Sequence, residues 1–150
     1  MSMLHFWLIL HLLAATVWVG GHVLLCFSII PSFLRTKNTK ELLAFEGKFE
    51  KIGIPALILL VFSGIMMAYT YGVTFSTWLS FSSPIEKVVS TKLLLLLSIA
   101  CLALSAQFRV IPKLEKGIDK VYEMGVHVIL VTVISVTMLI LGSFIRYGGI

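Results

Sequence analysis

A chain of 150 residues of which 59% are hydrophobic and only 13% charged does not resemble a soluble domain, where about 25% of residues are charged. So short a chain cannot hide that much Leu, Ile, Val and Phe in its own interior, so the composition excludes a soluble globular domain and predicts a protein that uses the bilayer as its solvent. The net charge of +5 does not point to nucleic acid, because most of the basic residues cluster in two stretches between apolar runs.

Four apolar runs follow in chain order, at 4–30, 52–71, 88–108 and 121–145. Each has the roughly 20 residues that a helix needs to cross the hydrocarbon core. The first is longer than that, which predicts tilt or protrusion. No basic segment precedes it, so it reads as a span rather than a secretion signal. Residues 31–51 then carry Arg35, Lys37, Lys40, Lys48 and Lys51 together with Glu41, Glu46 and Glu50. They are expected to form a short amphipathic helix on the membrane surface, with Leu42, Phe45 and Phe49 facing lipid. The second connection, 72–87, has Lys87 alone; the third, 109–120, has Arg109, Lys113, Lys116 and Lys120; the tail has Arg146. Nine basic residues against two put the first and third connections in the cytoplasm of a bacterial cell and both termini outside its inner membrane. No connection is long enough for a separate soluble domain, and no strong repeat stands out. The expectation is an all-α, integral membrane, antiparallel four-helix bundle, one domain over 1–150, with homo-oligomers expected from its apolar surface. Cys26 and Cys101 lie inside apolar runs and form no CxxC motif, so they read as small hydrophobes facing lipid or the core.

Polar groups within spans are costly and therefore mark function. Those of the first span are His5, His11 and His22; the third has Lys92 and the fourth His127. His11 and His22 are eleven residues apart, which is about 20° from three whole turns, so they share a face at depths differing by about 16 Å. Trp18 falls on the same stripe. On the antiparallel fourth span, His127 and Met138 repeat the eleven-residue interval, which matches His22 with His127 in depth and His11 with Met138. Two axial ligands at each of two depths suit haem iron, for which His/His and His/Met pairs are familiar donors. Gly20, Gly21, Gly64 and Gly125 offer close approach for a ring edge. Met138 also reads well as ordinary packing, His5 as an interfacial residue or an outer ligand, and Lys92 as a snorkelling residue, a propionate partner or an outer ligand. Copper is the competing metal, since soft Met and Cys donors select Cu(I). His22 with Cys26, and Met66–Met67, are the residues in its favour.

The stretch from Leu10 to Val23, LHLLAATVWVGGHV, resembles the first helix of CopD-like copper-resistance membrane domains and of bacterial membrane protoporphyrinogen oxidases of the HemJ type. His11, Trp18 and Gly21 carry the resemblance, and the third-span segment STKLLLLL with Lys92 extends it. It implies a four-helix membrane protein in which His11 binds b-type haem with Lys92 nearby. Where the oxidase type continues with a Pro-Arg pair, this chain has Cys26–Phe27.

The expected function is a b-type haem protein, a di-haem carrier of electrons across the membrane. One haem would sit at His22 and His127, the other at His11 with Met138 or Lys92, exchanging electrons with a quinone or a periplasmic partner. Gly21 and Gly125 would border the rings. The alternatives are an oxidase of porphyrin metabolism and a CopD-like copper transport protein.

Overall fold

Two prolines govern the architecture. Pro31 and Pro112 each stand within a long apolar helix, where proline cannot donate to the carbonyl four residues back and its ring presses on that carbonyl. In the computed structural model, which describes residues 2–150, the helix widens just before each of them. Helix α1 (Met3–Leu24) passes through a π-turn at Leu25–Ile29 into α2 (Ile30–Thr36), and the Ile30 N–H reaches back five residues to the Leu25 carbonyl. Helix α4 (Pro84–Ser105) passes through a π-turn at Ala106–Val110 into α5 (Ile111–Glu115), with the Ile111 N–H on the Ala106 carbonyl. The wider turn makes room for the ring, so each helix continues past its proline. Helices α3 (Thr39–Thr70) and α6 (Val121–Phe144) bring the chain back. Four continuous helical stretches result, Met3–Thr36, Thr39–Thr70, Pro84–Glu115 and Val121–Tyr147, each long and apolar enough to span a bilayer. The described residues contain no strand.

The order of these elements reveals an internal repeat. Phe27-Ser-Ile-Ile-Pro31 recurs as Phe108-Arg-Val-Ile-Pro112, each at a π-turn. Both returning helices close on Tyr-Gly, with the glycine in the left-handed region: Gly72 at φ 79° and Gly148 at φ 93°. A non-glycine residue would be strained at both places. The chain is thus two tandem helical hairpins. With Pro31 laid on Pro112, His11 corresponds to Lys92, Trp18 to Ile99 and His22 to Ala103.

The hairpins meet in two apolar clusters. One lies toward the end that carries most of the lysines and arginines, the basic end, and joins Leu25, Ile30, Phe33 and Leu42 to Val110, Leu114, Met124 and Val128. The other joins Trp18 and Val19 to Ile99 and Val131, with Met138 packed against them. Large apolar side chains such as Phe27, Phe108, Ile58 and Leu97 point outward, as expected where lipid replaces water. The amphipathic surface helix expected over 31–51 is not formed as such. Residues from Thr39 onward belong to the same continuous helix as the second span, and Leu42, expected to face lipid, is wholly buried against the first cluster. Salt bridges decorate this end: Lys37 with Asp119 at 3.8 Å across the hairpins, and Arg109 and Lys120 with Glu123. At the other end, Ser83 and Glu86 cap α4 reciprocally, and the Ile150 N–H bonds the Pro84 carbonyl.

Candidate functional site

Between the two clusters lies a cavity of about 270 Å³, walled by α1, α3, α4 and α6. Trp18 and His22 face it from α1, Phe49 from α3, and His127 from α6; Ala103, at the position equivalent to His22, faces it from α4. The small Ala103 side chain, a methyl group where the first hairpin carries an imidazole, is part of what leaves this space open.

Each histidine is held in one tautomer by its own helix. His22 Nδ1 lies 2.9 Å from the Trp18 carbonyl oxygen, and His127 Nδ1 lies 2.8 Å from the Glu123 carbonyl oxygen. A carbonyl only accepts, so Nδ1 carries the proton in both rings and Nε2 keeps its lone pair. This is the arrangement in which imidazole serves as a metal ligand, with the distal N–H spent on a backbone carbonyl. His22 Nε2 has no protein partner among the described residues, whereas His127 Nε2 accepts from the Ser105 hydroxyl at 3.1 Å. Both rings are nine-tenths buried.

The surroundings fix these rings. The Trp18 and His22 rings are 4.4 Å apart, and Phe49 stands edge-on to His22 at 5.3 Å. The Phe49 ring occupies the notch left by Gly21 and Gly53; a Cβ on Gly21 would overlap it. Trp18 Nε1 donates to Ser135 at 3.3 Å, and the Thr132 hydroxyl, given chiefly to the Val128 carbonyl at 2.7 Å, also lies 3.2 Å from the His22 carbonyl oxygen, so α6 clasps α1 beside the site.

The other sequence-derived candidates, apart from Trp18 and Gly21, lie away from this cavity, with His11 and Lys92 near one another. His11 donates from Nδ1 to Ser63 Oγ at 3.0 Å, because the Ser63 hydroxyl is itself given to the Leu59 carbonyl; its polar contact is thus with α3, while Met138 packs in the cluster around Trp18. Gly64 lies under the His11 ring. Lys92 runs along α6, its Nζ 3.1 Å from where a Cβ on Gly142 would stand. Gly125 faces Ile30, and Gly20 faces open space. His5 is bound to Ser2 at the exposed start of α1. Cys26 is partly buried at the edge of the first cluster and Cys101 is exposed.

Sequence reasoning missed several cavity residues. Glu46, Glu50 and Gln107 line the same space as the two histidines. The i, i+4 spacing of the two glutamates was the available signal, and it was assigned to a surface helix. Ser105 gave no signal at all. Among the described residues, no group of three or more His, Cys, Asp or Glu side chains is close enough to hold a metal ion.

A family model described as copper resistance protein D matches residues 43–145, which runs from the second turn of α3 through α6 and leaves out α1 with His11 and His22. No curated protein and no solved structure matches the chain.

Proposed function

The chain belongs to the copper resistance protein D family, and on that premise we propose that it handles copper within the bilayer, with His22 and His127 as the donors of a transit site. The observation that carries this reading is the pair of buried imidazoles on one cavity, both with Nδ1 tied to a backbone carbonyl; Nε2 is free in His22 and is held in His127 only by the Ser105 hydroxyl. Imidazole nitrogen suits copper. A conducting site must bind well enough to be entered and weakly enough to be left, a demand that two imidazole donors suit. The membrane is the inner membrane of a bacterium, with the basic end in the cytoplasm, by the asymmetry of Lys and Arg between the connections.

A second reading is favoured by the apolar character of the cavity and its two nitrogen donors: b-type haem, whose macrocycle supplies the remaining four nitrogens and needs only axial ligands from the protein. In its fullest form this is a di-haem carrier, with His11 and either Met138 or Lys92 at the outer site and a quinone or periplasmic protein as redox partner.

One preparation separates the two. The detergent-purified chain is assayed for copper and haem per chain, with a reduced-minus-oxidised visible spectrum, beside His22→Ala and His127→Ala. Copper that is lost in both variants, without haem bands, supports the transit site. Haem bands that shift or vanish in the same variants move the assignment to the second reading. Metal and haem contents that ignore both substitutions overturn both.

A further inference from the structure

Glu46 and Glu50 stand one turn apart on α3 and line the cavity that holds His22 and His127. Glu50 accepts from Gln107 Nε2 at 3.3 Å, across from the π-turn of the second hairpin. Glu46 is half-buried, and among the described residues it has neither a hydrogen-bonding nor an ion-pairing side-chain partner. The charged groups that act on it are two further carboxylates, Glu50 and Glu115. This happens in the most basic part of the chain, where lysines are plentiful. Yet the ion pairs found there run from Lys37 to Asp119 and from Arg109 and Lys120 to Glu123. A half-buried carboxylate among carboxylates is an unfavourable arrangement that a cation relieves. Within the same cavity, His22 is nine-tenths buried and keeps an unpartnered Nε2. The acidic pair therefore adjoins a waiting donor.

We propose that Glu46 and Glu50 form the entrance by which a divalent cation, Cu2+ among them, reaches His22 and His127 from the basic end of the bundle. This rests on the reading of the two histidines as the metal site. Carboxylate oxygens at the entrance and imidazole nitrogens at the site beyond it are hard-to-borderline donors, suited to Cu2+ and its neighbours more than to Cu+. The lysines and arginines of that end repel a cation at long range, and a local acidic lining is what turns repulsion into capture.

Cu2+ alone is the probe, mixed with the detergent-purified full chain in stopped flow at low salt. Quenching of tryptophan fluorescence reports arrival, since the Trp18 ring is 4.4 Å from that of His22. Glu46→Gln with Glu50→Gln is expected to slow arrival about tenfold, a typical scale for lost electrostatic steering, and to leave the final stoichiometry unchanged. The charge-keeping pair Glu46→Asp with Glu50→Asp should stay within about twofold of the unaltered chain, and high salt should narrow the gap between charged and neutral forms. Should the double variant fail to fold, Glu46→Gln alone suffices, because Glu46 makes no bond that its loss would break; about threefold slowing is expected. Equal rates for the unaltered chain and the Gln variants, with copper still lost in His22→Ala, overturn the entrance and spare the metal site. Copper uptake that is the same in His22→Ala and the unaltered chain overturns the site on which the entrance depends.

Discussion

At the scale of single residues, the two cavity histidines differ in one respect with a measurable consequence. His22 offers a free Nε2, but His127 Nε2 is engaged by the Ser105 hydroxyl. A metal can bind His127 only by displacing that proton donor. The bond is worth about 0.5–1.5 kcal/mol net, so Ser105→Ala should tighten copper binding by roughly two- to tenfold. The same substitution leaves the cavity walls in place. A competition titration against a chelator measures it, and weaker binding in Ser105→Ala would make the hydroxyl a support of the site rather than a competitor. His22 and His127 were legible in the sequence because polar residues in apolar runs are few and their spacing gives depth. Ser105 was not, since a serine within a span bonds its own helix as often as another, and only the assembled bundle shows which nitrogen it meets.

At the scale of elements, α1 and α3 approach each other through the glycines at 21 and 53, with the Phe49 ring laid in the notch. The sequence suggested that Gly21 clears space for a ring, and a ring is there, but it is one of the protein's own. Gly21→Ala puts a methyl group into the Phe49 ring, which is pinned by Trp18 and His22. Overpacking of this kind costs about 1–3 kcal/mol. Phe49→Leu shortens the obstruction, so in the double variant Gly21→Ala should cost clearly less than in the parent chain; this non-additivity is the signature of direct contact. Reversible unfolding in mixed detergent reads both. Additive losses would mean that the ring moves aside at no cost. The spans themselves were legible from hydropathy, yet their extension beyond the apolar runs was not. Charged residues between 31 and 51 masked the start of α3, where Leu42 is buried by its tertiary neighbours. The π-turns were hidden because a proline in sequence announces a disturbance and not its form.

At the scale of the molecule, the duplication explains why one cavity exists and why it is asymmetric. Two hairpins that share a π-turn and a Tyr-Gly terminus pack face to face, and the space between them is lined by equivalent positions, Trp18 with Ile99 and His22 with Ala103. The difference between those positions confines the imidazole donors of this site to α1 and α6. The repeat escaped sequence inspection because only a few residues retain it. The same arrangement fixes a testable topology. The connections after α2 and α5 carry the basic residues and sit at one end; the connection at 71–83 and the C-terminal residues meet at the other, where Ile150 reaches Pro84. Lys and Arg are retained on the cytoplasmic side, so a chain with Cys26 and Cys101 replaced by alanine should report its orientation through single new cysteines. Lys40→Cys and Lys116→Cys should resist a membrane-impermeant thiol reagent in intact cells and react once the cells are opened, whereas Ser76→Cys and Ile150→Cys should react at once. Lys40 is exposed in the first turn of α3, the other three sites are at connections or at the chain end, and all four lie outside the cavity walls, which keeps the packing undisturbed. The opposite pattern would turn the acidic entrance toward the exterior, and copper capture by Glu46 and Glu50 would then begin outside the cell.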